Sequence, residues 1–139
     1  MKRLITQNEF ETENAGAVFG KALDGGAVVF LEGDLGVGKT VFVRGIAKAL
    51  GIKDEVLSPT FALMNEYKGD KFNLCHIDAY RLKNNREAQG SGILEKLELK
   101  DTVTVIEWAK NIAPLYLKNT AYAVTITLID ESTREITVQ

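Results

Sequence analysis

A glycine-rich segment at residues 33–40 carries the residue types that chemistry on phosphates requires. It matches the pattern G-x-x-x-x-G-K-S/T in full and consists of Gly33, Asp34, Leu35, Gly36, Val37, Gly38, Lys39 and Thr40. Glycines let the backbone wrap a phosphate with its N–H groups pointing inward, and a helix that begins there adds the positive end of its dipole. The lysine supplies a charge to the β- and γ-phosphates, and the threonine hydroxyl is placed to ligate Mg²⁺. The segment therefore predicts a P-loop that binds a nucleoside triphosphate together with Mg²⁺.

Two acidic residues each follow a run of strand-forming residues. Asp78 comes after residues 72–77, and Glu107 comes after residues 103–106. The carboxyl ends of parallel strands meet at the ligand-binding edge of a sheet, where a P-loop protein needs acids to hold Mg²⁺ and to orient the attacking water. Both residues are therefore predicted to be catalytic and metal-site residues. Their spacing leaves open which of them ligates the metal and which orients water.

Three other side chains could belong to the same site. Thr60 lies in a Ser-Pro-Thr-Phe segment, residues 58–61, where NTPases often keep a switch that senses the γ-phosphate. Trp108 follows Glu107 and could stack near the nucleotide, although a core position is the commoner explanation for such an aromatic residue. His76 lies within an apolar strand and is predicted to be a hydrogen-bonded core histidine.

The elements that must position these residues follow from the hydrophobic pattern. Helices are predicted at residues 11–23 and 40–50, and a buried strand at 27–31 leads into the glycine segment. Further strands are predicted at residues 61–67, 72–78, 103–106, 122–129 and 134–138. Residues 86–97 are weakly helical, residues 83–91 form the expected mobile loop, and a helical turn is expected at 108–113.

Alternating strands and helices predict an α/β fold. The P-loop makes this a P-loop NTPase-like three-layer structure, with a mainly parallel central sheet and antiparallel additions at its edges. The chain has 139 residues, which is close to the commonest domain size, so residues 1–139 are predicted to form a single P-loop domain.

Composition excludes several classes of protein. With 45% hydrophobic and 26% charged residues, and no apolar run near the roughly 18 residues of a membrane span, the chain is not expected to enter a membrane. The N-terminus lacks the apolar stretch of a signal peptide, so a cytoplasmic location is expected. The single cysteine, Cys75, is predicted to lie in the core. A net charge of −2 argues against autonomous nucleic-acid binding, so any contact with RNA should run through a partner.

Five motifs together resemble those of the TsaE family, also called YjeE. They are residues 33–40, Arg44-Gly45, residues 58–61, residues 76–82 and Ile106-Glu107-Trp108. The resemblance implies an ATPase needed for the threonylcarbamoyl modification of the adenosine next to the anticodon of tRNA. It also implies that the partners are TsaD, the transferase, and TsaB, and that the complex of these two proteins activates a weak ATP hydrolysis. The chain would contact tRNA only indirectly, through that complex.

The resemblance also implies roles for single positions. Lys39 and Thr40 take the P-loop roles, Asp78 and Glu107 the acidic roles around Mg²⁺, Thr60 the switch-like role, and Trp108 a place near the nucleotide. Two positions depart from the family's usual pattern, since Val41 replaces a second threonine and Ala79 replaces a leucine. Neither position is a predicted ligand, so the departures concern packing.

Three other functions share a P-loop. A small-molecule kinase should carry a lid with several arginines, whereas residues 83–91 offer only Lys83 and Arg86. A GTPase should carry an N-K-x-D element for guanine, which does not occur in the sequence. A nucleotide-sensing subunit would bind ATP without turning it over. The kinase ranks second to the ATPase.

Overall fold

A computed structural model describes residues 2–34, 38–59, 63–80, 82, 85–90, 92–108 and 121–139. Within these ranges the chain forms seven strands and four helices. They are β1 Lys2–Thr6, α1 Glu9–Lys21, β2 Val28–Glu32, α2 Lys39–Ala49, β3 Met64–Tyr67, β4 Asn73–Asp78, α3 Asn85–Gly90, α4 Ile93–Leu97, β5 Thr102–Glu107, β6 Ala121–Leu128 and β7 Arg134–Val138. No helix in the described ranges is both long enough and apolar enough to cross a membrane.

All seven strands belong to one sheet in the order β1-β7-β6-β2-β5-β4-β3. The four central strands, β6, β2, β5 and β4, run parallel to one another. Strands β7 and β1 extend one side of the sheet antiparallel, and β3 does so on the other side. The predicted parallel centre with antiparallel additions is therefore confirmed.

Helices cover both faces of the sheet, which gives the three predicted layers. On one face the core joins α2 residues such as Phe42 and Ile46 to alternate residues of the strands, including Leu31 and Val105. On the other face, α4 contributes Ile93 and Leu97 to a second cluster with the intervening strand residues. Cys75 is buried in this second cluster, as predicted.

Strand β1 was not predicted. Four of its five residues are exposed and only Thr6 is buried, so the segment lacks the alternation that marks a half-buried strand. It is ordered by pairing with β7, in which Leu4 lies opposite Ile136. The partner strand β7 is distant in the sequence, so no local pattern predicts that residues 2–6 form a strand.

Most other boundaries differ from the predictions by one or two residues. Helix α1 begins two residues early because Asn8 caps it: Asn8 Oδ1 accepts a hydrogen bond from Glu11 N at 2.8 Å, and Gln7 N donates to Glu11 Oε1 at 2.9 Å. The weakly helical stretch at 86–97 forms two short helices, with Gly92 at φ 89° preceding the second. The start of the strand predicted at 61–67 and most of the turn predicted at 108–113 lie outside the described residues.

Candidate functional site

The glycine segment lies between the end of β2 and the start of α2. Gly38 directly precedes the helix with φ 102°, a left-handed conformation that strains any residue with a Cβ. No side chain caps the first turn of α2, so its backbone N–H groups remain available to an anion. Leu35, Gly36 and Val37 lie outside the described residues, and so does Thr60.

A cavity of about 580 Å³ opens at this helix end, a size common for small-molecule sites. The described residues that line it are Glu9, Gly38, Lys39, Thr40, Val41, Ser58, Asp78, Tyr80, Glu107 and Trp108. A second cavity of about 240 Å³ shares Lys39 and Trp108 with the first and is also lined by Gly33 and Asp34. The structure thus brings together all the predicted site residues that it describes.

Lys39 is the first residue of α2, and its side chain is almost fully buried at the cavity. Its Nζ lies 3.4 Å from Oε1 of Glu107, whose side chain is equally buried. The same Nζ lies 4.6 Å from the centroid of the Trp108 ring, within cation–π distance. The ammonium group is therefore held between a carboxylate and an aromatic face.

The second oxygen of Glu107 has a different partner. Its Oε2 lies 2.5 Å from Nε2 of His76, which is completely buried. Burial by itself would raise the pKa of Glu107, but the hydrogen bond with His76 and the charge of Lys39 outweigh that effect and hold the pKa below its usual range. Glu107 is consequently an ionised carboxylate within the core.

Asp78 lies beside Glu107 at the carboxyl ends of two parallel strands. The two residues are register partners of β4 and β5. Asp78 is only half-buried, and its Oδ1 accepts a hydrogen bond from the backbone N of Tyr80 at 2.9 Å. The backbone N of Ala79 donates to the backbone O of Glu107 at 2.9 Å, which fixes the spacing of the two strand ends. Both carboxylates therefore face the P-loop helix from the same edge.

One residue of the site, Tyr80, was missed from the sequence, and so was one contact of His76. Tyr80 is 67% exposed, and its ring meets that of Trp108 edge-on at a centroid distance of 5.3 Å. His76 is the hydrogen-bonded core histidine that was predicted, but its partner Glu107 was not foreseen. A strand places alternate residues on one face, so the spacing of two between His76 and Asp78 was the available signal.

The oxygen donors suit Mg²⁺ only in combination with a ligand. Among the described residues, no group of three or more His, Cys, Asp or Glu side chains could hold a metal ion. The hydroxyl of Thr40 and the carboxylates of Asp78 and Glu107 nonetheless line one cavity. Mg²⁺ is characteristically held by one or two protein oxygens together with phosphates and water, so this donor set fits the ion when a nucleotide is present.

Similarity to known proteins agrees with the fold. The family model described as "Threonylcarbamoyl adenosine biosynthesis protein TsaE" matches residues 6–136. The chain is 39% identical to the tRNA threonylcarbamoyladenosine biosynthesis protein TsaE of Treponema pallidum over 138 residues, covering 98% of each chain. It is 36% identical to the protein of the same name from Nostoc sp. over 141 residues, which is 97% of this chain and 83% of that one.

A solved structure shows the same architecture. The crystal structure of Bacillus subtilis YdiB superposes with a TM-score of 0.79 at 29% identity, covering 99% of this chain and 83% of the other. This likeness supports the P-loop NTPase-like fold. Because the family model spans residues 6–136 and the identity extends over almost the whole of the Treponema protein, the chain belongs to the TsaE family.

Proposed function

We propose that this chain is the ATP-binding and ATP-hydrolysing component of the pathway that makes threonylcarbamoyladenosine in tRNA. One observation carries the proposal: Lys39, at the start of α2, lies buried against Glu107 in a cavity that also contains Thr40 and Asp78. A P-loop lysine, a hydroxyl and two carboxylates at one sheet edge are the parts that phosphoryl transfer to water requires. Family membership supplies the pathway.

Phosphate binding would use groups that are already in place. The uncapped N–H groups at the start of α2 would donate hydrogen bonds to phosphate oxygens, and Gly38 lets the backbone approach those oxygens closely. Lys39 would exchange its contact with Glu107 for a contact with the β- and γ-phosphates. That exchange would release Oε1 of Glu107 toward the cavity.

Thr40, with Asp78 or Glu107, would hold Mg²⁺. The ion, when bound, neutralises the charge that develops on the phosphates. The remaining carboxylate would orient the attacking water. Glu107 suits either task because it is ionised and one of its oxygens faces the cavity.

Slow hydrolysis by the isolated chain follows from the charges at the cavity. Lys39 is the only cationic side chain among the described residues that line it. An additional arginine at the transition state can be worth about 10³ to 10⁵ in rate. We propose that contact with TsaD and TsaB completes the site, and that this occurs in the cytoplasm.

The net charge of −2 favours an indirect encounter with tRNA, through that protein complex. A direct interaction would require a basic surface to neutralise phosphates, and the composition offers no basic surplus.

The test is to measure phosphate release from γ-labelled ATP by the full chain, alone and with the TsaD and TsaB complex. We expect slow release by the chain alone and faster release with the complex. Lys39→Ala provides the inactive control. A rate that saturating complex leaves unchanged would contradict the partner assignment. Label transferred to a small molecule rather than released would identify a kinase instead.

A further inference from the structure

His76 is the only histidine of the chain, and it contacts Glu107 from within the core. It lies on β4, completely buried, and its neighbours Cys75 and Ile77 point to the opposite face of the sheet. When Glu107 is ionised it has only lone pairs to offer, so in that state the hydrogen of the 2.5 Å contact is carried by Nε2 of the imidazole. The ring is therefore a hydrogen-bond donor to Glu107.

The two oxygens of Glu107 are thereby assigned to different partners. Oε2 is bound to His76 inside the core, and Oε1 is 3.4 Å from Lys39 at the cavity. A carboxylate at the end of a flexible side chain could otherwise rotate and present either oxygen. With one oxygen fixed from behind, the other keeps a defined direction toward the place where phosphate and water would react.

We propose that His76 is a positioning residue that orients the Glu107 carboxylate for ATP hydrolysis. The inference rests on the hydrolytic function proposed above and names a residue outside the P-loop and the acidic pair. His76 lines neither cavity at the P-loop, so it acts through Glu107 rather than on the nucleotide.

The second nitrogen of His76 argues against a purely structural role. Within the described part of the chain, Nδ1 is buried without a hydrogen-bond partner. Unpaired buried polar atoms are unfavourable, and an aliphatic side chain of similar size would fill the same position without one. Packing alone would therefore favour leucine here. The donor at Nε2 is what leucine would lack.

Two variants separate donation from packing. In His76→Gln the side-chain amide can place an N–H near the position of Nε2. His76→Leu removes the donor and fills the position with an apolar side chain of similar size. We expect His76→Leu to lower kcat for ATP by about tenfold or more, as loss of an orienting partner typically does, with KM for ATP nearly unchanged. His76→Gln should recover most of the lost kcat.

The measurement is steady-state hydrolysis by the full chain, with a thermal melt of each variant. Wild-type kcat in His76→Leu, or equal loss in both variants, would overturn the positioning role. A wild-type chain that hydrolyses no ATP at all would instead contradict the proposed function, and it is recognised before the variants are compared.

A spectroscopic measurement tests the contact without catalysis. Because the chain has one histidine, the two imidazole nitrogens can be assigned unambiguously in ¹⁵N spectra of the native protein. We expect a proton on Nε2, with a chemical shift typical of a short hydrogen bond. A bare Nε2 with the proton on Nδ1 would overturn the proposal, even if His76→Leu fails to fold.

Discussion

The ammonium group of Lys39 lies 3.4 Å from Oε1 of Glu107, so this lysine has an anionic partner within the chain itself. Both side chains are buried, and leaving either charge unpaired there would be costly. A phosphate can replace the carboxylate as the partner of Lys39 without exposing the lysine to an apolar surface. Nucleotide binding, as proposed above, would therefore release a carboxylate oxygen of Glu107.

Lys39→Ala and Glu107→Gln should fail in different ways. Lys39→Ala removes the phosphate contact, so we expect ATP affinity to fall by about tenfold or more, since each 1.4 kcal/mol of lost contact energy is a factor of ten. Glu107→Gln should still bind ATP but lose about 10² to 10⁴ in kcat, the usual contribution of a positioned proton acceptor. Calorimetry measures the ATP affinity of each variant, and hydrolysis assays measure its kcat. Equal loss of ATP binding in both variants would remove Glu107 from the catalytic residues.

Trp108 should report nucleotide binding by fluorescence. It is the only tryptophan, and Lys39 Nζ lies 4.6 Å from the centroid of its ring. When phosphate draws the ammonium group away, the environment of the indole changes, so its emission should shift on titration with ATP. Trp108→Phe should abolish the signal, and Lys39→Ala should abolish its dependence on ATP. An emission spectrum unaffected by saturating ATP would contradict the exchange of partners.

The stability of the fold should depend on the charge of Glu107. The pKa of Glu107 is lowered in the folded chain, whereas a glutamate in the unfolded chain has a pKa of about 4.3. The ionised group therefore stabilises the fold fully above that pH, and the contribution is lost as the pH falls through the lower folded pKa.

Glu107→Gln should accordingly unfold at a lower temperature than wild type at neutral pH, with a gap that narrows in acid. Thermal melts between about pH 7 and pH 3 measure this, and they bracket the glutamate pKa of the unfolded chain. Glu131→Gln, which removes an exposed carboxylate, is the control. A gap for Glu107→Gln that stays constant over the whole range would contradict the stabilising charge.

Gly45 should be intolerant of even a methyl group. A Cβ at this position of α2 would lie 1.9 Å from the backbone O of Glu13 and 2.7 Å from the backbone N of Ala17, both in α1. The two helices would have to separate, so Gly45→Ala should lose about 1–3 kcal/mol of unfolding free energy despite the better helix propensity of alanine. Gly90→Ala, with nothing within 4 Å of the added Cβ, is the control. Equal urea midpoints for the two variants would contradict the close packing.

The positions of the candidate site residues were largely predictable because their determinants are local. A glycine-lysine-threonine pattern between a buried strand and a helix defines the loop and the helix end together. Acids that follow strands in the sequence, such as Asp78 and Glu107, meet at one edge once those strands are parallel. The structure was needed only to show that β4 and β5 are parallel neighbours in which Asp78 and Glu107 lie side by side.

The contacts between side chains of the candidate site could not be predicted from the sequence, because they depend on how side chains from different strands and helices are placed. The bond between His76 and Glu107 joins two strands separated by α3 and α4. Trp108 has φ 59°, unusual for a residue with a large side chain, and no local signal marks it. Strand β1 similarly depends on a partner more than 100 residues away, as the pairing of Lys2 with Val138 shows.

That pairing has a mechanical consequence. Because β1 and β7 are antiparallel and Lys2 lies opposite Val138, a force applied to these two residues would load the hydrogen bonds of the ladder one after another. The two strands would open like a zipper rather than shear against each other. The sheet would begin to yield at this edge under a small pulling force, while the parallel strands that hold Asp78 and Glu107 would still be intact.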